Sequence, residues 1–119
     1  MKQGRFKYHL KNDDLVTQFE GVCFYYEDRN IIAFRESNGT QVFIDFSRSL
    51  MTRENDEMLL VFDFNGGDSY INMKKMNRKM PMSLKVESKA LEANKFMINY
   101  ILSEHNKFEF TLEWVLGGE

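Results

Sequence analysis

The sequence predicts an all-β protein: a closed antiparallel meander barrel of about eight to ten strands. Alternation is the first ground for this. Phe108, Phe110, Leu112 and Trp114 interleave with Glu109, Thr111 and Glu113, the period of a strand with one buried and one wet face. Composition is the second: 11 phenylalanines and 5 tyrosines against a single proline favour strands over helices. The third is punctuation, since short polar or glycine-containing clusters divide the alternating segments throughout. So many strands in one flat sheet would leave long exposed edges, and closure removes them.

The first strand is expected from about Gln3 to Leu10, with Lys11-Asn12-Asp13-Asp14 turning the chain. Leu15 to Glu20 then leads through Gly21 into Val22 to Tyr26, and Glu27-Asp28-Arg29-Asn30 is the next turn. Ile31 to Glu36 and Gln41 to Phe46 flank Ser37-Asn38-Gly39-Thr40, where Asn-Gly is a strong hairpin signal because both residues tolerate positive φ. Leu50 to Arg53 and Met58 to Phe64 flank Asn55-Asp56-Glu57, and Asn65-Gly66-Gly67-Asp68 leads into Ser69 to Lys74. Three further strands are expected near Met82 to Ser88, Lys95 to Leu102 and Lys107 to Val115. The segment 89–94, with Ala90, Leu91 and Ala93 at its centre, reads as a loop or one short helical turn.

At 119 residues and 43% hydrophobic content, residues 1–119 form one domain with an ample core. A charged fraction of 29% balanced to a net charge of −2 creates no global field for nucleic acid or anionic lipid. The lone cysteine, Cys23, excludes a disulfide framework and a cysteine metal cluster, and a cytoplasmic location is expected. No apolar run has signal-peptide or membrane-spanning length, so no membrane association is expected.

Several segments together resemble the YwiB-like bacterial family. Gly21-Val22-Cys23-Phe24-Tyr25-Tyr26 is similar to its G-x-x-x-Y-aromatic strand opening, and Ala33-Phe34-Arg35-Glu36 to its aromatic-x-Glu strand end. Met51-Thr52-Arg53 stands where that family places an arginine after an apolar strand. Met80 to Val86, followed by Ser88 and Leu91, resembles its alternating stretch before a small hydroxyl residue, and Ile98-Asn99-Tyr100-Ile101-Leu102 its I-x-Y-x-L strand. Lys79-Met80-Pro81 departs from the family, which usually has a tyrosine-glycine turn there. The resemblance implies a lipocalin-like, calycin-type barrel and brings no catalytic residue or cofactor.

Arg35, Glu36 and Arg53, charged residues at strand ends, are the first candidate site, because a guanidinium at a barrel mouth can fork onto a carboxylate or phosphate. The alternative is a structural ion pair between Glu36 and Arg53 on neighbouring strands. Tyr26 and Tyr100, with Tyr25 and Tyr70, could line a cavity among Phe24, Phe34, Phe43 and Phe62, or could simply be core. Lys74, Lys75, Arg78, Lys79 and Lys85 form a run without an intervening acid, as a single-stranded nucleic-acid contact would, although a solvated turn is the simpler reading. Clustered Met73, Met76, Met80 and Met82 lack the histidine or cysteine company of a soft-metal site. His9 and His105 stand apart from any nucleophile, and Cys23 is expected on a second, outward strand face.

The expectation is therefore a non-enzymatic barrel, without a cofactor, that binds a small, partly apolar, anionic molecule in its interior; an interior filled by phenylalanine and methionine would count against it. A protein-interaction module using an exposed face with Cys23, Tyr25, Leu59 and Val61 is the other class.

Overall fold

The structure, a computed structural model, describes residues 1–117. Its strands are β1 (Lys2–Asn12), β2 (Leu15–Tyr26), β3 (Ile31–Arg35), β4 (Gln41–Asp45), β5 (Leu50–Glu54) and β6 (Met58–Asp63). They continue as β7 (Ser69–Met73), β8 (Arg78–Met82), β9 (Leu84–Glu92), β10 (Lys95–Leu102) and β11 (Asn106–Leu116). All belong to one antiparallel sheet in the order β8-β7-β6-β5-β4-β3-β2-β1-β11-β10-β9, curled into a nearly closed barrel. The two ends of the chain meet within it, because β1 pairs with both β2 and β11.

Strands β8 and β9 end that order, yet only Ser83 separates them. Residues 78–92 thus act as one strand bent at Ser83, whose first half pairs with β7 and whose second half pairs with β10. A strand that changes partners in this way turns a sheet back on itself. The Ser103 N–H, donating to the Ser83 carbonyl at 3.0 Å, pins the bend. A register shift between Asn99 and Tyr100 then puts Val86 and Lys89 on one face of β9, opposite Tyr100 and Ile98, with Lys89 remaining exposed. Lys89 Nζ donates to Ser49 Oγ at 2.6 Å and draws β9 towards the turn after β4.

The β3–β4 hairpin forms as its Asn-Gly predicts, but only Gly39 uses positive φ, at 91°. Asn38 instead accepts the Thr40 N–H on its side-chain oxygen at 3.0 Å. Gly21 does not interrupt β2: it lies opposite Phe6, whose ring edge would stand 3.3 Å from a Cβ there. The helical turn lies at Lys74–Met76, of 3₁₀ type, whereas β9 extends through 89–92. Pairing with β10 outweighs the helix propensity of Ala90 and Leu91, which is too short-ranged to resist it.

The interior is packed with large side chains, among them Phe6, Tyr8, Phe34, Phe62, Phe96 and Trp114, each at most 6% exposed. Phe6 stacks on Phe34 with ring centroids 4.1 Å apart, and Phe46 stacks on Trp114 at 5.2 Å. The phase of β2 is the reverse of that expected. Cys23 and Tyr25 belong to the interior, while Val22 is exposed and Phe24 and Tyr26 lie on the outer face with it. Both phases of this strand are apolar, so alternation alone cannot orient it.

Replacing the fully buried Ile98 by alanine is expected to cost about 2–5 kcal/mol, and Met97→Ala on the opposite face of β10 under about 1 kcal/mol. Urea denaturation of the two variants checks the inward phase of β10.

Candidate functional site

Glu36 follows β3 directly and is turned inward, with its side chain 1% exposed. Its neighbour Arg35 points the other way and is exposed, as strand alternation requires. Arg53 on β5 lies in register with Val42, which lies in register with Phe34, so its side chain shares the inner face. Arg53 Nη2 donates to Glu36 Oε1 at 2.7 Å, and the Tyr8 hydroxyl donates to Glu36 Oε2. Both carboxylate oxygens are thereby satisfied. The ion pair expected between neighbouring strands exists, but it reaches across β4.

The same guanidinium lines an open cleft of about 410 Å³ at one end of the barrel. Leu10, Leu60, Phe62, Leu102 and Phe108 give the cleft an apolar wall, and Tyr100 stands among them. Asn38 and Asn55 at the rim spend their side-chain oxygens on turns, Asn55 accepting from the Glu57 and Met58 N–H groups. Arg53 is 24% exposed, lines the cleft and commits Nη2 to Glu36; a guanidinium carries further N–H donors beyond that one. Asn12, in register with Phe108, holds its Oδ1 buried without a partner among the described residues.

Burial pushes the Tyr100 hydroxyl from its ordinary 10.0 up to about 12, partly opposed by the positive charge of Arg53. Tyr8 is raised further still, first by burial and then by its hydrogen bond and proximity to the Glu36 carboxylate. Burial also raises the Cys23 thiol, which makes it a packed apolar group rather than a nucleophile.

The candidate residues from the sequence separate onto two faces of the sheet. Arg53 and Tyr100 line the interior cleft, and Glu36 is joined to it through Arg53. Arg35 and Tyr26 line a different depression on the outer face, of about 280 Å³, with Phe24, Ala33 and Phe43. Strand alternation divides residues that are adjacent in sequence, and it likewise moves Phe24, Phe43 and Tyr70 out of the aromatic interior expected for them. Of the proposed exposed interaction face, Cys23 and Tyr25 are interior, and Val61, on the outer face, is only 8% exposed. Tyr8, which completes the Glu36 site, was not singled out by sequence; its inward phase on β1 was legible, but its partner lies 28 residues away.

Within the basic run, Lys74 is paired to Glu54 at 2.7 Å and Lys79 Nζ lies 4.0 Å from the centre of the Tyr70 ring. Lys75 sits in the 3₁₀ turn, Arg78 opens β8, and Lys85 is carried by β9, so the run is spread from that turn into the closing strand. No group of three or more histidine, cysteine or acidic side chains converges with metal-binding geometry among the described residues. No helix among them is long and apolar enough to cross a membrane.

No protein-family model matches the chain, and no curated protein matches it significantly. Among solved structures, the crystal structure of the ywiB protein from Bacillus subtilis is similar to it. The TM-score is 0.54 at 16% sequence identity, over 98% of this chain and 94% of that one. This likeness establishes a YwiB-like fold.

Removing one member of the buried pair is expected to destabilise more than removing both. Arg53→Met leaves an unpaired buried carboxylate and should cost about 3–5 kcal/mol, and Glu36→Gln combined with Arg53→Met should recover most of that loss. Chemical denaturation of the single and double variants reads the difference. Because the folded state holds the Tyr100 proton more tightly than the unfolded chain, its contribution is intact below pH 10.0 and is lost as pH rises towards about 12. Stability measured across that window should fall less steeply in Tyr100→Phe.

Proposed function

We propose that the protein is a non-enzymatic binder of a small, partly apolar molecule bearing a carboxylate or similar anionic acceptor, held at the open end of the barrel as in lipocalin-like folds. The observation that carries this reading is the Arg53 guanidinium, braced by buried Glu36 and lining an apolar cleft of about 410 Å³. A guanidinium fixed by one carboxylate retains donors with which to meet a second. Its remaining N–H groups would take the ligand's oxygen atoms, with the apolar remainder against Leu60, Leu102 and Phe108. Glu36 offsets the Arg53 charge, so recognition rests on directed hydrogen bonds and apolar burial rather than on a strong field.

Binding suits this site better than catalysis. General acid–base work favours groups that exchange protons near the working pH, whereas the Tyr100 hydroxyl is raised to about 12. The interior beyond the cleft is filled by aromatic rings, which confines a ligand to the mouth. A short acyl or single-ring acid matches that depth better than a long lipid.

Isothermal titration with decanoate, an apolar monocarboxylate, tests the reading. One site per chain is expected, weakened at least tenfold in the Glu36→Gln, Arg53→Met double variant, about 1.4 kcal/mol or more, and unchanged in Arg35→Met. Decanoate binding that is absent, or that survives loss of Arg53, would contradict it.

A further inference from the structure

Two Asn-Gly pairs stand in turns between strands, and the fold treats them differently. Asn38-Gly39 lies between β3 and β4, and Asn65-Gly66 between β6 and β7. A glycine after asparagine favours loss of the side-chain amide, because it carries no Cβ to hinder attack by its own nitrogen on the preceding side chain. All four residues are exposed, and the two glycines share one backbone conformation, with φ of 91° at Gly39 and 90° at Gly66. Solvent access and glycine geometry are therefore matched, and hydrogen bonding is what separates the pairs.

At Asn38-Gly39 both reacting groups are held. The Gly39 N–H, which carries the nucleophilic nitrogen, donates to the Glu36 carbonyl at 2.9 Å. The Asn38 side-chain oxygen accepts the Thr40 N–H at 3.0 Å, which ties the amide to the residue beyond the nitrogen it would have to meet. The Glu36 N–H donates to the Thr40 carbonyl at 2.8 Å, and the Glu36 carboxylate is anchored inside the barrel by Arg53 and Tyr8. At Asn65-Gly66 the Gly66 N–H has no acceptor, and the Asn65 side chain has no partner, among the described residues. Only the Asn65 N–H is engaged, donating to Asp63 Oδ1 at 2.9 Å. Cyclisation needs a nitrogen free to lose its proton and a side chain free to approach it, and only the second pair offers both.

We propose that Asn65 is a site of spontaneous deamidation in the folded protein, and that the β3–β4 hairpin protects Asn38 from the same reaction. The Gly66 nitrogen gives its proton to solvent and bonds to Asn65 Cγ. The Cγ–Nδ2 bond breaks, and ammonia leaves after taking up a proton. Water then opens the resulting succinimide at one of its two carbonyls, giving aspartate or isoaspartate at position 65. The net change is amide and water to carboxylic acid and ammonia, with no oxidant or reductant. The new carboxylate joins Asp63 and Asp68 in one turn, where like charges repel. β6, which runs into that turn, carries Leu60 and Phe62 of the cleft wall. The protected asparagine stands at the cleft itself, where a carboxylate would compete with an anionic ligand for Arg53.

Peptide mapping by mass spectrometry tests this on the full chain, incubated at neutral pH both folded and in guanidinium chloride, then digested in mild acid. In the folded protein the Asn65 peptide should convert from amide to acid mass at least tenfold faster than the Asn38 peptide. Unfolding should bring the two rates together, chiefly by accelerating Asn38, because the hairpin bonds that protect it are then gone. Asn65→Ser should remove the fast conversion from the folded chain, whose integrity circular dichroism verifies. Equal rates in the folded protein, faster conversion at Asn38, or survival of both amides while the unfolded chain converts would each overturn the proposal. So would a difference that persists unchanged in guanidinium, since neighbouring sequence rather than the fold would then be its cause.

Discussion

A carboxylate buried to 1% exposure is the constraint on which the cleft end of the molecule depends. Unpaired, Glu36 would be too costly to keep ionised inside a barrel of aromatic rings. Tyr8 from β1 and Arg53 from β5 satisfy it from two sides, and the carboxylate in turn fixes where both must stand. A hairpin end is thus tied to strands on either side of it in the sheet, and an otherwise flexible arginine is held beside the cleft. Positioning of that kind lowers the entropy a ligand would have to overcome on binding. Structural ion pair and binding group are therefore one device in this reading, rather than rival explanations of the same residues.

The barrel that carries this device is completed by a bend in a strand more than by a continuous ladder. Residues 78–92 leave β7 and join β10 across Ser83, and the register shift at Asn99/Tyr100 puts Lys89 on the face from which it meets Ser49. This places Tyr100 of β10 in the same cleft as Arg53 of β5, although the two strands lie on opposite sides of the barrel. Closure and site geometry consequently share a cause.

Much of the architecture was legible in the residues. Strict alternation in β10 and β11 marked Ile98, Tyr100, Phe110 and Leu112 as a common face, and Asn38-Gly39 located a hairpin. Orientation was harder wherever both faces of a strand are apolar. In β2, the pairs Cys23/Tyr25 and Phe24/Tyr26 are chemically alike in burial preference, so only the tertiary register with β1 and β3 decides which set is inside. Arg35 and Glu36 show the converse difficulty: adjacency in sequence invites one site, while the pleat sends them to opposite faces. The helical propensity of Ala90 and Leu91 lost to strand pairing with Met97 and Phe96, an interaction no local pattern displays.

Native mass spectrometry on the protein and its Glu36→Gln, Arg53→Met variant, each purified gently from the host cell, addresses the central claim most directly. The account predicts a stoichiometric small-molecule adduct on the unaltered protein, released on denaturation as an acid of limited size, and its loss from the variant. A clean unliganded mass for both proteins, or the same adduct on each, would contradict the assignment of Arg53 as the ligand's anchor.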